Sequence, residues 1–328
     1  MTEQVRRADD PGAMAAAATT THADSAADVA DAVRSARNSG TALRIVGAGR
    51  WSGAGSPAAG VRAALPTLSL AKLSGVVAYV PADLTLTVRA GTTLAELNAV
   101  TAPNNQWCPL LAWGDDEGTV GATFATATAG PCADALGRPR DIALGVEFVD
   151  GTGATVRGGG RVVKNVAGFD LTRLMVGAFG TLGVITELTL RLRAKPQVDL
   201  SLCVQPARHR PDSGSARLGA SALLKAVIPP IACEPIDARL GAAMGLNPGC
   251  VIVRYGGNRA LVDAGRACAE AVGSVTEIGA GAWSKLRALD PHPRRIDRAT
   301  VASSVARRIK QRFDPSGVLN PGLFGEPA

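Results

Sequence analysis

The sequence predicts an α+β fold in two parts. Three observations carry that expectation. Strand patterns and capped-helix patterns both recur between residues 24 and 195, and tight-turn signals join them. Composition shifts near Pro196, after which residues 197–300 are less patterned and hold much of the remaining proline and cysteine. The chain of 328 residues is 46% hydrophobic and 19% charged, enough for a large core and, by length, for two domains or one with a sizeable insertion.

The elements follow in order. Residues 1–20 are expected to form a disordered tail. Asp24–Asn38 reads as an amphipathic helix with Val29 and Val33 at i and i+4, and Gly40 supplies its stop. Leu43–Val46 is a strand. Gly75–Val80 and Leu84–Gly91 are two more, separated by Pro81-Ala82-Asp83. In the second, Leu84, Leu86 and Val88 alternate with Thr85, Thr87 and Arg89, as a half-buried strand requires. Thr93 and Glu96 have capping-box spacing at the head of the next helix, which Pro103 ends. Glu117–Gly130 is small and glycine-punctuated: a segment that lets backbone approach a flat ligand, or a packed Ala/Gly-rich strand. Ile142–Val149 and Ala154–Arg157 flank Asp150-Gly151-Thr152-Gly153, a hairpin signal. LTRLMVG after Asp170 reads as helix, and GTLG at 180–183 leads into a long alternating strand. Near the end, Val301, Val305, Ile309 and Phe313 mark a helix at i, i+4 spacing, and FDPSGVLNPG gives two successive turns.

Composition excludes several classes. No run of 18 apolar residues exists, so no transmembrane helix is expected, and the N-terminal residues carry no apolar signal core. Cys108, Cys132, Cys203, Cys233, Cys250 and Cys268 form no CxxC pair, which argues against a disulfide framework, a metal site or a cluster carried by this chain. Reduced, packed thiols in a cytoplasmic protein are the expected state. Net charge is +7, but the basic residues are dispersed and not interleaved with aromatics, so nucleic acid is not an expected partner.

The stretch ALRIVGAGRWSGAGSP at 42–57 stops a strand at a glycine-rich loop suited to phosphates. A nicotinamide-binding fingerprint needs GxGxxG leading into a helix, with the pyrophosphate on the helix N-terminus. Here Ser52 replaces the third glycine, and SGAGSPAAG at 52–60 is no helix start. An anion would instead be held by loop N–H groups, as in a backbone nest. A plain glycine-rich turn stays open as an alternative.

Several segments in order then resemble the PCMH-type FAD-binding oxidoreductases (the vanillyl-alcohol oxidase superfamily), most of all the FAD-binding subunits of bacterial glycolate oxidases. They are LRIVGAGRWSGAG, VPADLTLTVRAGTTLAELN, DEGTVGATFATATAGP, and the long run that includes KNVAGFDLTRL and GTLGVIT. C-terminal FDPSGVLNPG completes the set. The resemblance implies two α+β subdomains at 21–196 with FAD between them, a reduced α+β cap at 197–300, and a segment at 301–328 that returns to the FAD-binding part. It implies a pyrophosphate loop of Gly47, Ala48, Gly49, Arg50, Trp51 and Ser52. Thr119, Gly121, Ala122, Thr126 and Gly130 would line a second cofactor segment, Gly183, Val184 and Ile185 a third, and Asn320 would approach the flavin.

Two departures from the family pattern sharpen this reading. Covalently flavinylated relatives carry a histidine in or near the first loop, where this chain has Arg50 and Trp51. His22, His209 and His292 all lie elsewhere, so non-covalent FAD is expected. Relatives that oxidise hydroxy acids with a metal carry paired histidines and a glutamate in the cap, which residues 197–300 lack, and the usual Ser-Glu before GTLG is Ala178-Phe179 here. Oxidation of a 2-hydroxy acid needs a cation for the carboxylate and a base for the hydroxyl proton. Arg140, Lys164 and Arg254 are the candidate cations, with Tyr255 as a pocket residue, and no base can be named. The resemblance therefore implies a flavin subunit of an oxidase or dehydrogenase complex. Its expected partners are a larger flavoprotein subunit, an iron–sulfur subunit and a small 2-hydroxy acid, and its only contact with the inner membrane would run through those partners. A free-standing oxidoreductase of another small alcohol or hydroxy acid, and a non-catalytic flavin-binding assembly subunit, are the alternatives.

Overall fold

The computed structural model describes residues 19–50, 65–160, 169–207, 213–289 and 304–323. Residues 1–18 of the expected tail, residues 51–64, Lys164, His209, His292 and Val301 lie outside them; the tail ends earlier than expected, because Thr20 already pairs with Thr67 in a strand.

The strands are β1 (Thr20–His22), β2 (Arg44–Val46), β3 (Thr67–Ser69), β4 (Val76–Val80), β5 (Thr85–Arg89), β6 (Gln106–Trp107), β7 (Ala143–Val149), β8 (Thr155–Gly159), β9 (Val184–Arg191), β10 (Arg193–Ala194), β11 (Val198–Pro206), β12 (Ala232–Pro235), β13 (Val251–Gly257) and β14 (Gly273–Glu277). The helices are α1 (Ala26–Ser39), α2 (Leu94–Thr101), α3 (Val120–Ala125), α4 (Ala133–Leu136), α5 (Pro139–Ile142), α6 (Leu171–Met175), α7 (Ser213–Leu224), α8 (Ala238–Met244), α9 (Arg259–Val272), α10 (Gly281–Leu289) and α11 (Ser304–Phe313).

Helix boundaries follow local chemistry. Ser25 and Asp28 close a capping box on α1, and Gly40 ends it in the left-handed conformation. Thr93 and Glu96 do the same at the start of α2. Pro103 does not stop the chain sharply, because a 3₁₀ turn over Ala102–Asn104 continues from α2. The glycine-punctuated segment at 117–130 holds a helix, α3, and not a strand. Thr119 caps it through an Ala122 N–H to Oγ1 hydrogen bond of 3.4 Å, and such a cap favours a helix start over strand pairing.

The described residues form four sheets, the smallest of which pairs β6 with β10. β1 and β2 flank β3 in a small parallel sheet. A five-stranded antiparallel sheet runs β4-β5-β9-β7-β8. Its period-2 alternation separates two faces. Leu86, Val88, Val146, Leu188 and Leu190 are buried in the main core under α1 and α3. On the opposite face, Arg89, Glu187, Glu147 and Arg157 are register partners in a row across four strands. Arg157 donates to Glu147 at 2.7 Å.

Residues 198–277 contribute a separate antiparallel sheet in the order β12-β13-β11-β14. Its two faces have their own cores. Leu202, Val204, Val251, Val253 and Tyr255 pack with residues of α7 and α9, whereas Cys250 and Ile252 pack with Trp283 and Leu286 of α10 and with Trp113. On α11, Ile309 and Phe313 are half-buried but Val305 is 62% exposed, so the apolar stripe read from the sequence does not seat Val305 in a core.

Candidate cofactor site

The site is built from segments that have little side chain to offer. β2 runs into Gly47–Arg50, and Gly49 sits at φ +76, a conformation that glycine adopts without steric cost. Gly47 lies against Thr119 so closely that a Cβ there would be 2.2 Å from Thr119 Oγ1. The head of α3 is thus fixed next to the first loop. The backbone of Gly121 donates to Ala90 O at 2.8 Å, and Val120 N donates to Thr92 O at 2.8 Å, tying α3 to the end of β5.

A third wall is the turn before β9. Phe179 sits at φ +53, a left-handed conformation unusual for a large side chain and typical of strained functional loops. Both its backbone groups are held: its N–H donates to Ala125 O at 2.8 Å, and its carbonyl accepts from Asn320 Nδ2 at 2.8 Å. The fourth wall is the C-terminal piece. Leu43 N donates to Val318 O and Asn320 N to Leu43 O, so residues 318–320 lie alongside the entry to β2.

These walls border a cleft that opens to solvent and is lined by apolar and small residues including Ile45, Ala90 and Leu323. Of the residues expected from sequence, Gly47, Gly49, Thr119, Gly121, Ala122, Thr126, Val184, Ile185 and Asn320 all line it. Ala48 and Arg50 line an adjoining open cavity that shares Gly49 and Thr119 with the first. Among the described residues, no atom lies within 4 Å of where a Cβ on Gly49 would stand.

Other expected residues sit elsewhere. Gly130 does not line the cleft: its missing Cβ makes room for Leu111 O, which a side chain would approach to 1.7 Å. Gly183 precedes Val184 but packs against Phe148 and Val149. Trp51, Ser52 and Lys164 lie outside the described residues. Arg140 is exposed at the end of α5. Arg254 is committed to a junction: it chelates Asp199 and its guanidinium stands 5.3 Å over the Trp107 ring. Tyr255 is 3% exposed inside the core between the C-terminal sheet and α9, its hydroxyl without a hydrogen-bond partner. Burial pushes that phenol well above its ordinary pKa. Neither Arg254 nor Tyr255 lines the cleft. Cys132 is buried beside Arg254, and burial raises its thiol to about 11, so it is no thiolate nucleophile.

Sequence reasoning missed Arg44, Leu70, Ala90, Ala125, Phe179, Gly180 and Leu323, which also line the cleft. Gly180 and Phe179 had a signal, since they adjoin the GTLG motif and the departure from Ser-Glu. Ala90 had none, because its role depends on the backbone of α3 passing across it.

The residues present fit a long anionic dinucleotide. The cleft is bordered by loop backbone, threonine hydroxyls and glycine, and it continues into a second cavity with Arg50 on its wall. Comparison with known proteins agrees. Residues 17–159 match the family described as the FAD binding domain. The fold is shared with an alkyldihydroxyacetonephosphate synthase structure at TM-score 0.62 and 16% identity, over 82% of this chain and 54% of that one. Residues 17–159 therefore carry a FAD-binding domain, and FAD is the cofactor.

Similar proteins include two glycolate oxidase subunits and a D-lactate dehydrogenase. The chain is 41% identical over 138 residues to glycolate oxidase subunit GlcE of Escherichia coli K12, covering 42% of this chain and 39% of the relative. It is 33% identical over 120 residues to glycolate oxidase subunit GlcD of Bacillus subtilis, covering 37% and 26%. To the mitochondrial D-lactate dehydrogenase [cytochrome] of Arabidopsis thaliana it is 38% identical over 118 residues, covering 35% and 20%. The matched stretch thus spans well under half the length of each of these relatives. Among the described residues, no helix is long and apolar enough to cross a membrane.

Proposed function

We propose that this chain is the FAD-binding subunit of a glycolate-oxidase-like complex, with residues 21–196 and 301–328 forming the flavin-binding part and 197–300 a reduced cap. The observation that carries the proposal is the convergence of Gly47–Gly49, Thr119–Thr126, Phe179–Ile185 and Asn320 on one cleft, together with the likeness to GlcE. Bound FAD supplies acceptance of a hydride at N5 and onward release of electrons. The chain's own residues bind and orient it. Gly49 and its neighbours offer backbone N–H groups to the pyrophosphate, α3 presents its capped N-terminus and threonines, and Ile45, Val184 and Ile185 exclude water.

The cap geometry supports a subunit role. In the cap, the guanidinium groups of Arg254 and Arg287 are each engaged by protein acceptors. A substrate carboxylate would have to displace an existing partner to reach either of them. A larger flavoprotein partner therefore meets the hydroxy acid in this reading, and an iron–sulfur partner takes up the electrons.

FAD is held without a covalent bond. His22 is exposed on β1 and Cys132 is buried away from the cleft, and the loop carries Arg50 and Trp51. Acid precipitation of the yellow protein is expected to release all FAD into the supernatant; flavin retained in the pellet would reject this. The decisive experiment is anaerobic glycolate addition to the chain alone and to the native complex purified from its host. Flavin bleaching only in the complex supports the subunit reading, and bleaching in the isolated chain supports a free-standing oxidoreductase instead. Gly49→Leu is expected to lower FAD occupancy severely, and unchanged occupancy would move the phosphate site elsewhere.

A further inference from the structure

The C-terminal turn is joined to the cleft by a set of contacts that the cofactor reading does not use. Lys310, on the last turns of α11, donates to Thr181 O at 2.8 Å, to Leu319 O at 3.1 Å and to Asp314 Oδ2 at 2.6 Å. An ammonium group has three protons, and each here has an acceptor. The Asp314 side chain is 0% exposed. Its Oδ1 accepts from Val318 N at 3.1 Å and its Oδ2 from Leu319 N at 2.9 Å. The corner is tight: a Cβ on neighbouring Gly151 would stand 2.4 Å from Asp314 Oδ1.

Each end of this network meets a wall of the cleft. Thr181 follows Phe179 and Gly180, which line it, and Leu319 precedes Asn320, which also lines it. Asn320 then bridges two walls. Its Oδ1 accepts from Ile45 N at 2.8 Å and its Nδ2 donates to Phe179 O at 2.8 Å. Its own backbone sits at φ +45, a left-handed conformation that asparagine tolerates better than most residues. Both polar ends of the side chain are thereby committed to protein backbone.

We propose that Lys310, Asp314 and Asn320 form a clasp that holds the C-terminal turn against β2 and the Phe179 turn, and so sets the width of the FAD cleft. They are positioning residues: Lys310 and Asp314 line neither cavity, and Asn320 acts through the backbones of Ile45 and Phe179. The physical basis is the cost of opening. A buried carboxylate whose cation is removed loses its compensation, and the turn it organises can then leave the cleft wall. Without the clasp, FAD must order that wall as it binds, which weakens its affinity.

The inference rests on the cleft being the FAD site, and the test separates the two ideas. FAD is titrated into apo-protein by flavin fluorescence, at a temperature where circular dichroism shows each variant folded. Lys310→Met and Asn320→Ala are each expected to weaken FAD binding at least tenfold. Arg157→Met strips the cation from Glu147, another buried carboxylate that lines neither cavity and that keeps its Thr186 hydroxyl donor, and is expected to change FAD affinity less than twofold while lowering the melting temperature. If Lys310→Met does not fold, the double variant Lys310→Met/Asp314→Asn, which removes both charges together at residues that line neither cavity, decides in its place. FAD affinity within twofold of wild type in the clasp variants overturns the clasp. So does an affinity loss matched by Arg157→Met at equal loss of melting temperature. Wild-type protein that binds no FAD would overturn the cleft assignment instead.

Discussion

The cofactor cleft and the seam beneath the C-terminal sheet are built on opposite principles. The cleft is made of backbone and missing side chains: glycines 47, 49 and 121, small alanines, threonines and a few aliphatic groups. Its fixed contacts are main-chain bonds joined by short side-chain bonds from Asn320, Thr119 and Thr126. The seam is made of long polar side chains. Arg287 is 3% exposed at its side chain, donates to Ala112 O at 2.8 Å and pairs with Asp116 at 2.6 Å. Arg254 chelates Asp199 beneath Trp107, and Trp283 Nε1 donates to Ser201 Oγ at 2.9 Å. The difference teaches that backbone and small side chains shape most of the ligand surface, while paired long side chains hold two cores together.

Substitutions on the two sides are expected to separate accordingly. The largest effect falls in the cleft. Gly47→Val drives a side chain into Thr119 Oγ1, and FAD affinity measured by fluorescence titration is expected to fall at least 100-fold, on the scale where each 1.4 kcal/mol is tenfold (roughly 2.7 kcal/mol). Next is Arg287→Met on the seam. It strips a buried charged donor from two acceptors, costing about 2 kcal/mol of stability by denaturant titration, with FAD affinity of the folded protein little changed. Weakened FAD binding at unchanged stability would erase the distinction between cleft and seam.

Arg254→Ala is a smaller seam change. Asp199 is 38% exposed at its side chain, so solvent screens the pair, and the ion pair together with the cation–π contact is worth about 1 kcal/mol. A large fall in flavin reduction rate at unchanged FAD affinity would restore Arg254 as a substrate cation. The smallest effect lies on the outer face of the five-stranded sheet. Burial and then Glu147 raise the Glu187 carboxyl above its ordinary value. A group raised on folding lends stability below its unfolded-state pKa of about 4.3 and loses that contribution as pH rises through the folded value. Glu187→Gln is therefore expected to melt slightly higher than wild type at pH 7, with the gain shrinking toward pH 4. A gain that grew on acidification would reverse the sign.

Much of the site was legible because its chemistry is local. Capping residues Ser25, Thr93 and Asp170 mark helix starts within a few positions of themselves. Glycine and threonine at 47–49 and 119–126 announce a backbone-lined surface wherever they fold. Legibility failed where one residue type serves two purposes. Gly130 and Gly183 belong to the same motifs as the cleft glycines, yet their bare Cα atoms admit Leu111 and Phe148. Arg254 stands on the best strand of the C-terminal part and looked available. Its partner Asp199 lies 55 residues away, beyond any periodicity.

The sequence by itself determined the strand and helix alternation, the two-part organisation of composition, and the glycine-rich segments that resemble a FAD-binding domain. Those properties depend on φ/ψ preference, side-chain volume and spacing within a few residues. Tertiary structure alone decided which glycines face the cofactor. It also decided that the guanidinium groups of Arg254 and Arg287 belong to a seam, and that Lys310 reaches Thr181 across 129 residues of chain. Such contacts are fixed by how whole sheets pack, and only a folded chain brings a donor and an acceptor so distant in sequence within hydrogen-bond reach.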